Sequence, residues 1–258
     1  MVEGLIGRST KCVGISRGDI SLGKGRIAVI AENLRQVEAT VEMARQRRGR
    51  VDKEAEVELV AVTKNHDVAA MREAIDAGVT VVGENRVQEA VEKHAILERN
   101  VRWHLIGHLQ TNKVKQAVKL FDLIHSVDSE HLLLAVEEAA TKIHKVQEIL
   151  LQVNLAREES KFGLYKEDLP FLLQKADSLS HVRLCGLMCI APNYKNVEEC
   201  RPLFREMYDI FTGLHAFPLP HSEMRWLSMG MTHDYAVAVE EGANLIRVGT
   251  AIFGPRQY

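Results

Sequence analysis

Eight times along this chain a short apolar run gives way to a polar turn and then to a segment with helical periodicity. The strand-like runs are 58–64 (ELVAVTK), 80–85, 101–107, 121–128, 148–154, 182–188, 225–230 and 244–250. Most are apolar at every position rather than alternating, the pattern of parallel strands covered on both faces. The helical segments between them carry start and stop signals, such as Asp67 before VAAMREAIDA and Gly78 after it. Eight strand-then-helix units in 258 residues predict a (β/α)8 TIM barrel, a fold of about 250 residues. An open doubly wound sheet is the other arrangement for such units, but no GxGxxG follows any strand.

Ahead of the first strand, Ile27, Ile30, Leu34, Val37, Val41 and Ala44 form one apolar helical stripe. Residues 1–25, rich in Gly, Ser and basic side chains and without an apolar signal core, are expected to be a loosely ordered N-terminal extension. Residues 26–258 are then a single barrel domain. The basic run RQRRGR (45–50) reads as the solvated end of that helix, stopped at Gly49.

A formal charge of -2 offers no field for nucleic acid or an anionic membrane surface. No apolar run reaches the length that spans a bilayer. Cys12, Cys185, Cys189 and Cys200 form no CxxC pair, so neither a disulfide framework nor a zinc site is expected, and a reducing cytoplasm is the default compartment. His104 and His108 are four apart on a strand rather than a helix and lack an HExxH glutamate, so no metal is assigned to them. Cys185 and Cys189 read as core and pocket lining, and His125 and His144 as surface or packing residues.

Catalytic and binding groups of a barrel of this kind stand at the C-terminal ends of its strands. The first strand ends in Lys64, the second in Glu84 and Asn85, the third carries His104, and the fifth ends in Asn154. The seventh runs into SMGMTHD, with Ser228 and Gly230, and the eighth into RVGT, with Arg247, Gly249 and Thr250. Glycines and hydroxyls at the last two strand ends suit a phosphate, because free N–H groups and the positive end of a helix dipole meet it there. Arg247 lies two residues before Gly249, on the same strand face. A lysine able to attack a carbonyl, an anion cradle and a buried arginine fit pyridoxal 5′-phosphate (PLP) in all three respects. A sugar-phosphate Schiff-base aldolase would use two of them.

The segments AVTK, GENRVQE, WHLIGHLQTNK, EESKFGL, GLMCIAP, LSMGMTHDY and IRVGTAIFG resemble, in order, the motifs of the YggS/PROSC family of PLP-binding homeostasis proteins, from about Arg26 to Arg256. The resemblance implies a single barrel like the N-terminal domain of alanine racemase, the type III fold of PLP enzymes. It implies that Lys64 holds PLP as a Schiff base, and that Ser228, Gly230, Gly249 and Thr250 contact the phosphate. By the same match Arg247 faces the pyridine nitrogen, while Asn85 and His104 line the cofactor pocket. Cys189 and Thr232 stand where the family more often has Thr and Ser, at positions not matched to the cofactor. An arginine at the pyridine nitrogen only donates, which makes PLP a weaker electron sink than a carboxylate partner would. Racemases of the related fold add a tyrosine from a second domain and subunit, for which no segment of this sequence is evident. The expectation is therefore a monomeric, cytoplasmic PLP carrier, with no catalytic residue assigned, serving PLP homeostasis and supply to apo PLP-dependent enzymes. A small type III racemase or decarboxylase acting on amino acids is the alternative.

Overall fold

The computed structural model describes residues 17–255. Eight parallel strands close into a barrel in sequence order: β1 (Glu58–Val62), β2 (Val81–Glu84), β3 (Arg102–Leu105), β4 (Leu123–Val127), β5 (Gln147–Val153), β6 (Val182–Cys189), β7 (Trp226–Met231) and β8 (Leu245–Val248). Closure rests on β1, which pairs with β2 on one side and with β8 on the other, Val60 opposite Arg247 and Ala61 opposite Val248. That closure excludes the open sheet. Except for β6 and β7, which run one residue further, the strands are trimmed at their C-terminal ends relative to the apolar runs, because residues such as Lys64 and Asn85 already turn out of the ladder.

Helix α1 (Arg17–Gln46) precedes the barrel, and α2 (Val68–Asp76), α3 (Val87–Leu97), α4 (Val114–Leu120), α5 (Glu130–Thr141), α6 (Leu169–Asp177), α7 (Arg201–Gly213), α8 (Tyr235–Glu240) and α9 (Thr250–Phe253) follow successive strands. Asp67 caps α2 as expected, accepting the Ala70 N–H at 2.7 Å. Residues 17–25 of the expected extension are helical, the opening turns of α1, and residues 1–16, with Cys12, lie outside the described residues. The α1 stripe packs where its period predicts: Ile30, Leu34, Val37 and Ala44 are buried against the barrel.

The basic run that ends α1 departs from expectation. Arg48 is buried and donates to four backbone carbonyls: Val239 (3.0 Å), Ala243 (2.9 Å), Asp52 (2.9 Å) and Ala55 (2.8 Å). Arg47 pairs with Glu240 and Arg50 with Asp209. The run is a clasp between the end of α1, the chain leading to β1, and the α7 and α8 side of the barrel. Charge density alone conceals this, because a planar guanidinium can satisfy several carbonyls at once while an ammonium cannot.

Two apolar layers hold the fold. The larger lies between strands and helices, and the smaller fills the barrel axis with Val60, Val81, Leu123, Leu150, Cys185, Met188 and Leu245. Above this axial layer the interior turns polar. His104, His125, Ser228 and Arg247 are all buried there. His125 bridges His104 Nδ1 (3.1 Å) and Ser228 Oγ (3.0 Å), and Arg247 donates to the same serine oxygen. His125 is thus part of the barrel's polar interior rather than a surface or simple packing residue. Burial, with Arg102 and Arg225 nearby, lowers the His104 pKa to about 3. Burial, with His104 and Arg247, holds His125 well below its usual range.

Two predictions follow from this packing. Arg48→Met strands four carbonyls and is expected to cost on the order of 3 kcal/mol in urea unfolding, whereas a change below about 0.5 kcal/mol would mean the clasp contributes nothing. The neutral histidines make stability depend on acid. Their folded pKa values lie below the unfolded one, so their contribution is complete above about pH 6.5 and is lost as pH falls toward the folded values. Unfolding measured from pH 6.5 to 5 is expected to give a slope shallower by about 1 kcal/mol per pH unit for His104→Gln than for the parent chain.

Candidate functional site

A cavity of about 550 Å³ opens at the C-terminal ends of the strands, over the polar layer. Lys64, Asn85, Arg247, Gly249 and Thr250, five of the eight positions singled out in the sequence, line it. Val60 faces the barrel axis, and Val62 and Lys64 line the cavity, so alternation along β1 carries the lysine inward. The turn that follows is tight. Asn65 adopts φ 62°, a left-handed conformation that asparagine tolerates better than most residues, and it takes the chain out of the barrel wall at once.

Arg247 forms part of the cavity floor. Its guanidinium is buried and donates to Ser228 Oγ and to the Cys189 carbonyl at 2.9 Å. Both acceptors are neutral, and no carboxylate of the described residues forms an ion pair with it, although the field of Asp234 favours its charge. Burial pushes its pKa down, yet a guanidinium stays protonated in proteins. A buried cation of this kind favours an electron-rich group above it. A second unmet demand lies in the wall: Asn85 Oδ1 is buried and accepts no hydrogen bond, so it offers an acceptor to a ligand's donor.

The rim on the other side is built from β7, β8 and the turns after them. The Gly249 N–H donates to the Thr232 hydroxyl at 3.2 Å, and Thr232, Gly249 and Thr250 line the cavity together. The first N–H groups of α9, at Thr250 and Ala251, have no partner inside their helix. His66 stacks on Phe253 with ring centroids 4.6 Å apart, which holds α9 against the turn after Lys64. An anion seated among these hydroxyl and N–H groups would lie on the same rim as Lys64.

The other three expected residues lie elsewhere. Ser228 and His104 sit in the polar layer below the cavity, joined through His125, where they support Arg247. Gly230 serves the rim indirectly. It has φ 92°, lies where the β7–β8 register shifts, and a Cβ there would come within 2.6 Å of Ala238 Cβ and 2.9 Å of Tyr235 Cα. A glycine is therefore what lets α8 settle onto the bulged end of β7. Gly107 plays a similar part on the far wall, since a Cβ there would stand 2.4 Å from the Asn85 carbonyl oxygen.

Thr232 and His125 are the residues that sequence reasoning missed. Thr232, which lines the cavity, stands two residues beyond Gly230 in the same SMGMTHD segment, and its place in that segment was the available signal. His125 sits in the run FDLIHSVD, where a histidine among apolar residues of a buried strand was the available clue. No group of three or more His, Cys, Asp or Glu residues suited to a metal occurs among the described residues, and Cys185, Cys189 and Cys200 are free thiols. No described helix is long and apolar enough to cross a membrane. A second cavity, about 440 Å³, lies at the opposite end of the barrel under α1, and Glu38, Glu42, Glu56 and Glu58 in its wall make it a poor place for an anion.

Residues 29–257 match the family described as alanine racemase, N-terminal domain. The pyridoxal phosphate homeostasis protein of Aquifex aeolicus is 39% identical over 231 residues, 88% of this chain and 98% of that protein. The structure of PipY from Synechococcus elongatus with PLP bound superposes with a TM-score of 0.76 at 39% identity, covering 87% of this chain and all of PipY. Alanine racemase from Bartonella henselae shares the fold alone, with a TM-score of 0.66 at 16% identity over 89% of this chain and 59% of the racemase. The curated relatives at 33–39% identity are named as homeostasis proteins rather than as enzymes. From the closed barrel, the cavity lined by Lys64 and Arg247 and these matches together, the chain belongs to the pyridoxal phosphate homeostasis protein family, within the alanine racemase N-terminal domain family.

Proposed function

We propose that this protein holds PLP on Lys64 as a reversible store that takes up and releases the cofactor, and that it does not turn over amino acids. The observation that carries the reading is the buried Arg247 guanidinium, bonded only to neutral acceptors and lying in the same cavity as Lys64. PLP supplies an aldehyde that a lysine amine can capture with loss of water, a pyridine nitrogen and a phosphate. The residues present fit those groups. Arg247 would donate to the ring nitrogen and keep it unprotonated, Asn85 Oδ1 would accept from a donor on the ring, and Thr232, Gly249 and Thr250 would take the phosphate.

Carrier rather than catalyst is supported by what surrounds Lys64. No tyrosine lines the cavity among the described residues. Asp234, the one carboxylate in its wall, is engaged by the Met231 N–H at 2.6 Å as it starts α8. A ring nitrogen held unprotonated by a guanidinium also stabilises carbanions poorly. The other titratable groups of the wall are engaged, His66 stacked on Phe253, His233 at the Tyr194 carbonyl and Asp234 at the Met231 N–H, so reversible capture by Lys64 is the chemistry these groups favour. The relatives' names point to service in PLP homeostasis, with release to apo enzymes, a cytoplasmic location and a monomeric state forming part of the same reading.

The test is direct. Mixed with PLP, the protein is expected to develop a visible absorbance band that borohydride abolishes, with the label mapped to the peptide containing Lys64. Lys64→Ala should give neither band nor label. A chain that takes up no PLP, or that is labelled equally without Lys64, would overturn the proposal. Rapid, saturable exchange of an amino acid's α-proton with solvent would replace the carrier by an enzyme.

A further inference from the structure

The groups that fix Lys64 stand behind the cavity, between the strands and α3. Thr63 faces outward, and its hydroxyl donates to Glu84 Oε1 at 2.6 Å while its carbonyl accepts from Lys93 Nζ at 2.7 Å. On the other side of Lys64, the Asn65 N–H donates to Glu89 Oε1 at 2.8 Å. Lys93 joins the two ends, its ammonium lying 2.7 Å from Glu84 Oε1 and 2.6 Å from Glu89 Oε1. All three ammonium hydrogens are thereby used, and the peptide groups before and after Lys64 are bound to one charge cluster.

Val87, Ala90 and Leu97 form the buried stripe of α3, and Lys93 lies within it, almost wholly buried. Glu84 is fully buried; burial raises its pKa, and Lys93 is the chief opposing influence. Apolar side chains of similar size often serve a protein interior as well as a buried ion group, so such a group has its clearest use in fixing a position. Here the position fixed is that of the left-handed turn at Asn65, which decides where the side chain of the preceding residue enters the cavity. Capture of an aldehyde needs the lysine nitrogen at the carbonyl carbon, where a C–N bond forms and the carbonyl oxygen leaves as water. A displacement of about 1 Å in a group of that kind can cost a factor of 100.

We propose that Lys93, with Glu84 and Glu89, is a positioning residue for Lys64, holding both flanking peptides so that the amine meets the aldehyde of the bound ligand. The proposal rests on Lys64 being the PLP anchor, and the ligand pair used to test it separates the two ideas. PLP can be captured by an amine, whereas pyridoxine 5′-phosphate keeps the ring and phosphate but carries an alcohol in place of the aldehyde. Dissociation constants for both are measured on the parent chain, Lys93→Met, Glu89→Ala, Glu89→Gln and Lys64→Ala, with thermal melts as the folding control.

Lys93→Met and Glu89→Ala are expected to weaken PLP binding about tenfold or more while leaving the alcohol's affinity unchanged, because only the aldehyde uses the set of Lys64. Glu89→Gln retains an acceptor for the Asn65 N–H and should restore most of the aldehyde's advantage lost in Glu89→Ala. Equal weakening of both ligands, or wild-type preference for the aldehyde in Lys93→Met and Glu89→Ala, would overturn the positioning role. Should Lys93→Met fail to fold, the Glu89 pair, at a partly exposed site, decides alone. A parent chain that shows no preference for the aldehyde over Lys64→Ala would instead remove the anchor reading itself.

Discussion

The pairing of β1 with β8 is the constraint on which everything else in this molecule depends. Those strands are the first and last of the barrel, and their register sets Val60 against Arg247 and Ala61 against Val248. Only through that seam does Lys64, near the start of the fold, share a cavity with Gly249 and Thr250 near its end. Parallel pairing adds the direction. Every strand presents its C-terminal end to the same side, so the residues that leave the ladders converge on one mouth. Arg48 supports the seam from outside by tying the end of α1 to carbonyls on both sides of the β8 approach, Ala55 before β1 and Ala243 before β8.

The second consequence of closure is a stratified interior. Aliphatic side chains fill the axis, two neutral histidines and a serine lie above them, and the Arg247 guanidinium lies above those. The order makes electrostatic sense. Histidines beneath a buried guanidinium stay neutral because burial and the nearby positive charge both act against their protonation. Neutral, they can orient Ser228 without quenching the arginine, as a carboxylate in the same place would. The positive charge therefore remains available to the cavity that Arg247 lines.

The barrel and the location of its mouth were legible in the sequence because both are written in periodicity. Two-sided apolar runs mark parallel strands, Asp67 and Gly78 bracket a helix, and a lysine ending the first such run stands out against its neighbours. The misreadings share a different cause: each involves a polar side chain whose partners are remote in sequence. Arg48 looked like one more surface arginine, and two of the carbonyls that bury it, at Val239 and Ala243, belong to a distant segment. Ser228, expected to contact a phosphate, lies one layer below the cavity, and Thr232, beyond the bulge at Gly230, lines it. Lys93 had a local clue, since it interrupts the buried face of α3, but its meaning needed β1 and β2 beside it.

These displacements point to a division of labour between the two faces of each strand. Inward residues such as Lys64 and Arg247 line the cavity, and the outward neighbours Thr63 and Glu84 meet Lys93 of α3. A barrel strand alternates by necessity, so an inward residue can also be held through its neighbours' contacts on the opposite face. At Lys64 those contacts are ionic and buried, a costly arrangement beside ordinary apolar packing. That cost is easiest to understand if one lysine carries the whole chemistry of the site. A tether has a single bond to make and unmake, and its equilibrium depends on one nitrogen being in the right place.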